Sequence, residues 1–415
     1  MSLPRLSSCL IACLLTMPTV VTAHDNDKRE DEPQYRVREI PPPDDSRCVA
    51  GYARVTAARK VNDRGEVVGQ DGCYHETGDL NFPRLSNLRA FHWSRVSGTV
   101  QLPVLSDAAT DTYARDLNNT GTIVGWQIEY GGFRAPVWPV TGGVMEVFTP
   151  GFCSSSTLPL ARAESINESG AVAGSNGLVG PEGTCRTRWV LKMPWGEEHA
   201  TPVLGGSVRT LNNNSVLAGT SANNAVKWSM TGGTVILSQG SFTPPISQVQ
   251  VWGLNDQDVA VGVTEHYNDD FSCLTTSEAK LWDADGTEHV LPSLHNALRT
   301  VAFAINGRGQ SVGYSESNAG CNNFDPAGWR AVTWNKHRVR DLNKLIPAHD
   351  RREIQLTGAY AINDRGQILV RGIRPGEALL PCPQVNIRLD TGEEFYDTSF
   401  MCHSEYAFLL TPKDD

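Results

Sequence analysis

Seven times along its 415 residues the chain repeats one short phrase, and no other feature constrains the fold so tightly. The phrase reads VNDRGEVVG at Asn62, LNNTGTIVG at Asn118, INESGAVAG at Asn167 and LNNNSVLAG at Asn212. It returns as LNDQDVAVG at Asn255, INGRGQSVG at Asn306 and INDRGQILV at Asn363. The common form is an apolar residue, Asn, two polar residues, usually Gly, one variable residue, two small or apolar residues, and Gly. Asn starts a turn because its side chain can bond the backbone two residues on, and Gly three residues later can take the left-handed conformation that returns the strand. Ser215 and Asp258 stand in for that Gly, and both are short polar residues that tolerate turns. The phrase therefore predicts a tight hairpin. Intervals of 56, 49, 45, 43, 51 and 57 residues between the asparagines indicate an array or a propeller.

A second phrase follows each first one: AFHW to Trp93, APVW to Trp138, TRW to Trp189, AVKW to Trp228, AKLW to Trp282 and AVTW to Trp334. In the last copy, AFLL, Leu410 replaces Trp. A ring recurring once per repeat suits packing between layers better than stacking on a sugar. Each unit then reads as four strands: one ending at Asn, its return, one ending at Trp, and its return. That predicts an all-β seven-bladed β-propeller with four antiparallel strands per blade. A β-helix needs shorter coils, and a sandwich does not need seven copies. The last unit stops after AFLLTP without a fourth strand. QYRVREIPP at the other end resembles HRVRDLNKLIP of unit six, so Tyr35 to Ile40 is expected to complete the last blade and close the ring.

The chain resembles the HAF-repeat extracellular proteins of bacteria, whose hallmark is A-x-x-I-N-x-x-G-x-V-V-G followed by a Phe/Trp strand. AFAINGRGQSVG at Ala302 to Gly313 and AFLLTP at Ala407 to Pro412 carry the resemblance, which spans roughly residues 35–412. It implies an exported repeat protein and lends no catalytic residues.

The N-terminus points the same way. Arg5 precedes the apolar run CLIACLLTMPTVV, then VTA at Val21 to Ala23, then polar HDNDKRED. This reads as a signal peptide over 1–23, a charged tether over 24–34 and a single propeller over 35–412, secreted or periplasmic. LIAC also resembles a lipoprotein signal, but cleavage there would leave LLTMPTVV on the mature chain. The run is too short to span a membrane comfortably, so no membrane insertion is expected. Eight cysteines remain: Cys48, Cys73, Cys153, Cys185, Cys273, Cys321, Cys382 and Cys402. An even number without CxxC in an exported chain favours disulfides over metal sites. Equal placement suggests Cys48–Cys73 and Cys153–Cys185. The other four stay unassigned among connectivities. The whole chain carries a net charge of −10 and no long basic run, which argues against nucleic acid as a partner.

Chain order puts the Asn turns and the turns after Trp on one face and every long loop, with all eight cysteines, on the other. Candidate ligand-binding residues on that loop face are Tyr74, His75, Tyr267, Asp269, Phe324, Trp329 and Glu394. Asn268 to Asp270 with Glu265 offer hard oxygens to calcium, but the spacing matches no defined loop, and no cofactor or metal is expected. The sequons at Asn118, Asn167 and Asn213 lie in the turns and read as turn chemistry. No GxSxG, HExxH or P-loop phrase occurs. The expectation is a monomeric, non-catalytic binding or scaffolding module presenting its loop face to a protein or glycan. The alternative is a polysaccharide hydrolase or lyase using loop carboxylates. Location discriminates them: an enzyme gathers titratable groups in a cavity, whereas a binder can spread aromatics over a rim.

Overall fold

In every one of the seven turns the residue three after Asn has a left-handed backbone. Gly65, Gly121, Gly170, Gly309 and Gly366 have φ between 74° and 93°, and Ser215 and Asp258 adopt 59° and 62°. The Asn side-chain oxygen accepts the N–H four residues on in all seven, as from Glu66, Thr122 and Ala171 at 2.9–3.0 Å. Its amide donates outward, to the backbone carbonyl of the next repeat's Asn. Asn62 reaches Asn118, Asn118 reaches Asn167, Asn167 reaches Asn212 and Asn212 reaches Asn255. Asn255 reaches Asn306, Asn306 reaches Asn363, and Asn363 returns to Asn62 at 2.8 Å. The asparagine thus makes its own turn and joins that turn to the next. Asn118 and Asn167 are buried in this duty, so two of the three sequons are occupied by turn chemistry.

The structure, a computed structural model, describes residues 34–43, 54–75, 84–130, 132–152, 159–179, 185–270, 273–294, 297–317, 326–335, 338–381, 384–387, 394–397 and 401–413. The expected signal peptide, nearly all of the expected tether, and the side chains of every cysteine except Cys273 lie outside them. Cys273 is buried and disulfide-bonded. The described chain is overwhelmingly β, and none of its helices is long and apolar enough to cross a membrane.

The expected propeller is corrected by the sheet topology. The strands do not separate into seven four-stranded blades. They fall into sheets of four, ten, four, four and eight strands, with two small two-stranded ladders. Short parallel contacts weld neighbouring repeats: Phe133 opposite Leu160 builds the ten-stranded sheet, and Ser277 opposite Arg299 the eight-stranded one. The extra strand Gly132–Arg134, inside a long loop, makes the first weld. What is repeated sevenfold is the turn and the packing beside it, not an independent sheet. Tyr35–Ile40 does pair antiparallel with Tyr406–Pro412, from Tyr35 opposite Pro412 to Ile40 opposite Ala407.

The core is divided likewise. Among the described residues seven apolar clusters form, each shared by consecutive repeats; one holds Val61, Phe91 and Trp93 with Ala361 and Leu369. Each recurring tryptophan sits in one of them. Trp189, Trp282 and Trp334 are fully buried, and Leu410 replaces the ring in the seventh unit with no exposure. The ring is packing, as its recurrence suggested.

One further regularity positions the site. The strand leading into each turn bulges three residues before Asn, so that Arg59, Arg115, Glu164, Arg209, Trp252, Phe303 and Tyr360 are skipped by the ladder. A bulge re-aims a side chain. The closing Gly of the phrase sits across from it in six repeats. A Cβ added at Gly69, Gly125, Gly174, Gly219, Gly262 or Gly313 would lie 1.8–2.3 Å from a backbone oxygen. Gly313→Ala is therefore expected to destabilise by about 1–3 kcal/mol, the range of forced overpacking. Denaturant unfolding checks this, and an unchanged midpoint would show that the bulge yields freely.

Candidate functional site

The seven bulged side chains meet. All of them line one cavity of about 390 Å³, together with Lys60, Asp116, Glu265, Tyr314 and Arg371. That volume falls within the roughly 300–1,000 Å³ of small-molecule sites. Chain order divides the lining. Units one to four contribute Arg59, Arg115, Glu164 and Arg209; units five to seven contribute Trp252, Phe303 and Tyr360. One arc is charged and the other aromatic.

On the aromatic arc, Phe303 stacks on Tyr360 with centroids 4.8 Å apart and meets Trp252 edge-on at 5.5 Å. Tyr314 joins Phe303 at 5.7 Å and stacks on Trp329 at 5.0 Å. On the charged arc, Arg115 pairs with Glu164 at 2.8 Å, and Lys60 lies 3.7 Å from Asp116. Asp116 also accepts the Ser165 hydroxyl and the Ile166 N–H. Arg371 pairs with Glu405 at 3.3 Å. Arg209 lies over Trp252, 4.3 Å from the ring centroid, and Arg162 lies over Phe133 at 3.7 Å.

Burial dominates the electrostatics. It lowers the pKa of Arg59 well below the usual range, with the like charges of Arg371 and Arg115 adding to the effect, and it lowers those of Arg209 and Arg162. It raises Tyr113 to about 12, helped by Asp111, and raises Tyr314 and Tyr360. Glu265 is raised by burial, partly offset by hydrogen bonds from Tyr267 at 3.0 Å and Gln250 at 2.8 Å and by Arg299 nearby. Glu316 is raised by burial too, with Arg299 opposing.

For a carboxyl raised on folding, the protonated form is the one the fold favours. Its contribution is complete below the ordinary glutamate range and is lost as pH rises through the raised value. Glu265→Gln mimics the protonated form and keeps one acceptor oxygen. The variant is therefore expected to gain stability relative to the parent as pH is raised from 4 to 7. Melting curves across that range check it; a difference independent of pH would contradict it.

A second cavity abuts the first, sharing Lys60, Asp116, Leu254, Ile305 and Ile362, and is lined by the asparagine turns. Residues following the asparagines form a further chain of bonds, each N–H donating to the corresponding side chain of the next repeat. Asp63 donates to Asn119, Asn119 to Glu168, Glu168 to Asn213 and Asn213 to Asp256. Gly307 donates to Asp364, and Asp364 to Asp63.

Of the seven loop-face candidates, two come to the cavity's edge: Tyr267 donates to Glu265, and Trp329 stacks on Tyr314. Asp269 is exposed in a turn, and the side-chain oxygen of the neighbouring Asn268 accepts the Cys273 N–H at 2.9 Å. Tyr74 and His75 lie on Val67–His75 and Glu394 on Glu394–Asp397, with side chains outside the described set. Phe324 lies outside the described residues altogether. Sequence reasoning missed the seven bulged residues. Their signal was there: each stands three places before the repeated Asn and is charged or aromatic in all seven repeats.

No family model matches the chain, and no curated protein does. Among solved structures it is similar to a protein described under two prolyl endopeptidases, at 11% identity and a TM-score of 0.47, covering 84% of this chain and 50% of that one. A puromycin hydrolase mutant gives 14% identity and 0.40, covering 84% and 54%. A glycoside hydrolase gives 10% and 0.27, covering 88% and 96%. The chain spans about half the length of the first two. Likenesses this distant lend the chain no activity.

Proposed function

We propose that the cavity is the working site of an exported enzyme that cleaves a glycan. The carrying observation is convergence: all seven bulged positions, charged and aromatic, open into one cavity. That is the arrangement expected of a site doing chemistry rather than of a rim that only binds, and it moves the carboxylates of the hydrolase reading from the loops to the cavity. Glycoside hydrolysis needs one carboxyl that holds its proton and one that is ionised. Glu265, raised by burial, gives its proton to the glycosidic oxygen. Glu164, held by Arg115 at 2.8 Å, acts as the carboxylate that assists water at the anomeric carbon. Trp252, Phe303 and Tyr360 supply flat faces for the sugar ring.

The test incubates the purified, oxidised chain with cell-wall and extracellular polysaccharides and measures retention and new reducing ends together. Product is expected, lost by about a hundredfold or more in Glu265→Gln while retention persists, in line with removal of general acid catalysis. Retention without product from any polysaccharide would return the chain to the non-catalytic binding class. Asp269→Asn, on the loop, is expected to cleave like the parent.

A further inference from the structure

The charged arc is not balanced. Arg115 has Glu164, Lys60 has Asp116 and Arg371 has Glu405. Among the described residues no carboxylate lies within ion-pairing distance of Arg59 or Arg209. Arg59 meets the neutral amide of Gln70, whose oxygen, once the amide is turned to satisfy both groups, accepts from its Nε and Nη2 at 3.1 and 3.0 Å. Arg209 packs over Trp252, and its Nε is buried with no partner among the described atoms. Guanidinium groups stay protonated in proteins, so two desolvated positive charges face this space with no ion-pair partner of their own, and the carboxylate whose charge reaches both, Glu164, is already paired with Arg115. This happens in a chain whose net charge is −10, so general charge does not account for it. Both arginines occupy bulged positions beside the aromatic arc: Arg209 adjoins Trp252 in chain order, and Arg59 and Tyr360 come from the first and last repeats, joined through Asn363 and Asn62.

We infer that the glycan taken by this cavity is an acidic one, whose carboxylates pair separately with Arg209 and with Arg59 while its sugar rings lie against Trp252, Phe303 and Tyr360. A free inorganic anion would have no use for the aromatic arc, and a neutral sugar would leave both buried guanidinium groups without an ion-pair partner. Arginine matches a carboxylate through two parallel N–H donors, which fixes orientation as well as charge. The inference rests on the cavity being the glycan site and adds the class of sugar.

The test titrates the chain, by intrinsic tryptophan fluorescence and calorimetry, with oligogalacturonate and oligomannuronate and with the fully methyl-esterified form of each. At least one acid is expected to bind tenfold or more tighter than its neutral ester, and to weaken as salt is raised. Arg209→Gln and Arg59→Gln are each expected to lose about tenfold in affinity for the acid and little for the ester, as loss of a charged hydrogen-bond partner predicts. Arg186→Gln, on an exposed strand position, is expected to bind like the parent. Melting curves for each variant separate lost binding from lost folding. Equal binding of acid and ester, or parental affinity in both folded arginine variants, would overturn the acidic-sugar inference and leave the glycan site standing. Failure of every acid and every ester, with no cleavage of any polysaccharide, would overturn both.

Discussion

Trp334→Ala is expected to lower stability by about 3–5 kcal/mol, the range for deleting a fully buried tryptophan. The ring has no exposed surface and packs with Val261, Ala279, Leu291, Ala302, Ile305 and Val332. Those residues come from two consecutive repeats, so the cavity left behind lies at a junction rather than inside one sheet. The indole N–H also donates to the Pro292 carbonyl at 2.7 Å, and that acceptor would lose its partner. Trp195, 69% exposed, is the control; its alanine variant is expected within about 0.5 kcal/mol of the parent. Denaturant unfolding of both variants measures the contrast. Equal losses would mean that the recurring tryptophans are not the packing elements described above.

Asn363→Ala should be the next most damaging change. The Asn363 side-chain oxygen accepts the Gln367 N–H, and its amide donates to the Asn62 carbonyl and to Gln367 Oε1, all at 2.8 Å. Alanine leaves the buried Gln367 N–H unpartnered, at about 1–3 kcal/mol, and takes the inter-repeat donor from the Asn62 carbonyl, which keeps only the Gly65 N–H. A total near 3 kcal/mol is expected. Asn363→Asp should cost at least as much, because it keeps the acceptor but sets an oxygen against the Asn62 carbonyl. Asn214→Ala, which removes an exposed bond to the Asp256 carbonyl, is expected to cost well under 1 kcal/mol. The comparison is made by equilibrium unfolding. If Asn363→Ala matched Asn214→Ala, the bond from the last repeat to the first would be dispensable.

The turns were legible because their chemistry is local. Asn followed three residues later by Gly announces a left-handed position, and even Ser215 and Asp258 obey it. The role of the tryptophans was legible from their period. The division into sheets was not, because single contacts such as Phe133 opposite Leu160 depend on how an inserted strand happens to lie against its neighbour. The site was hidden for a different reason. A strand of alternating residues gives no sign of a bulge, and a bulge reverses which face Arg209 or Trp252 presents. The clue lay in pairing two facts: the closing Gly, which leaves no room for a side chain opposite, and the unusual residue three before Asn. Attention to loops, where charged and aromatic residues are conspicuous, found Tyr267 and Trp329 at the edge of the cavity and missed its lining.

A crystal structure of the chain with bound oligogalacturonate would test the central claim most directly. The account predicts a sugar ring against Trp252 and Phe303, carboxylates of the oligomer on Arg209 and on Arg59, and a glycosidic oxygen within hydrogen-bond reach of Glu265. A sugar seated on the loop around Asp269, with the cavity left to solvent, would contradict it.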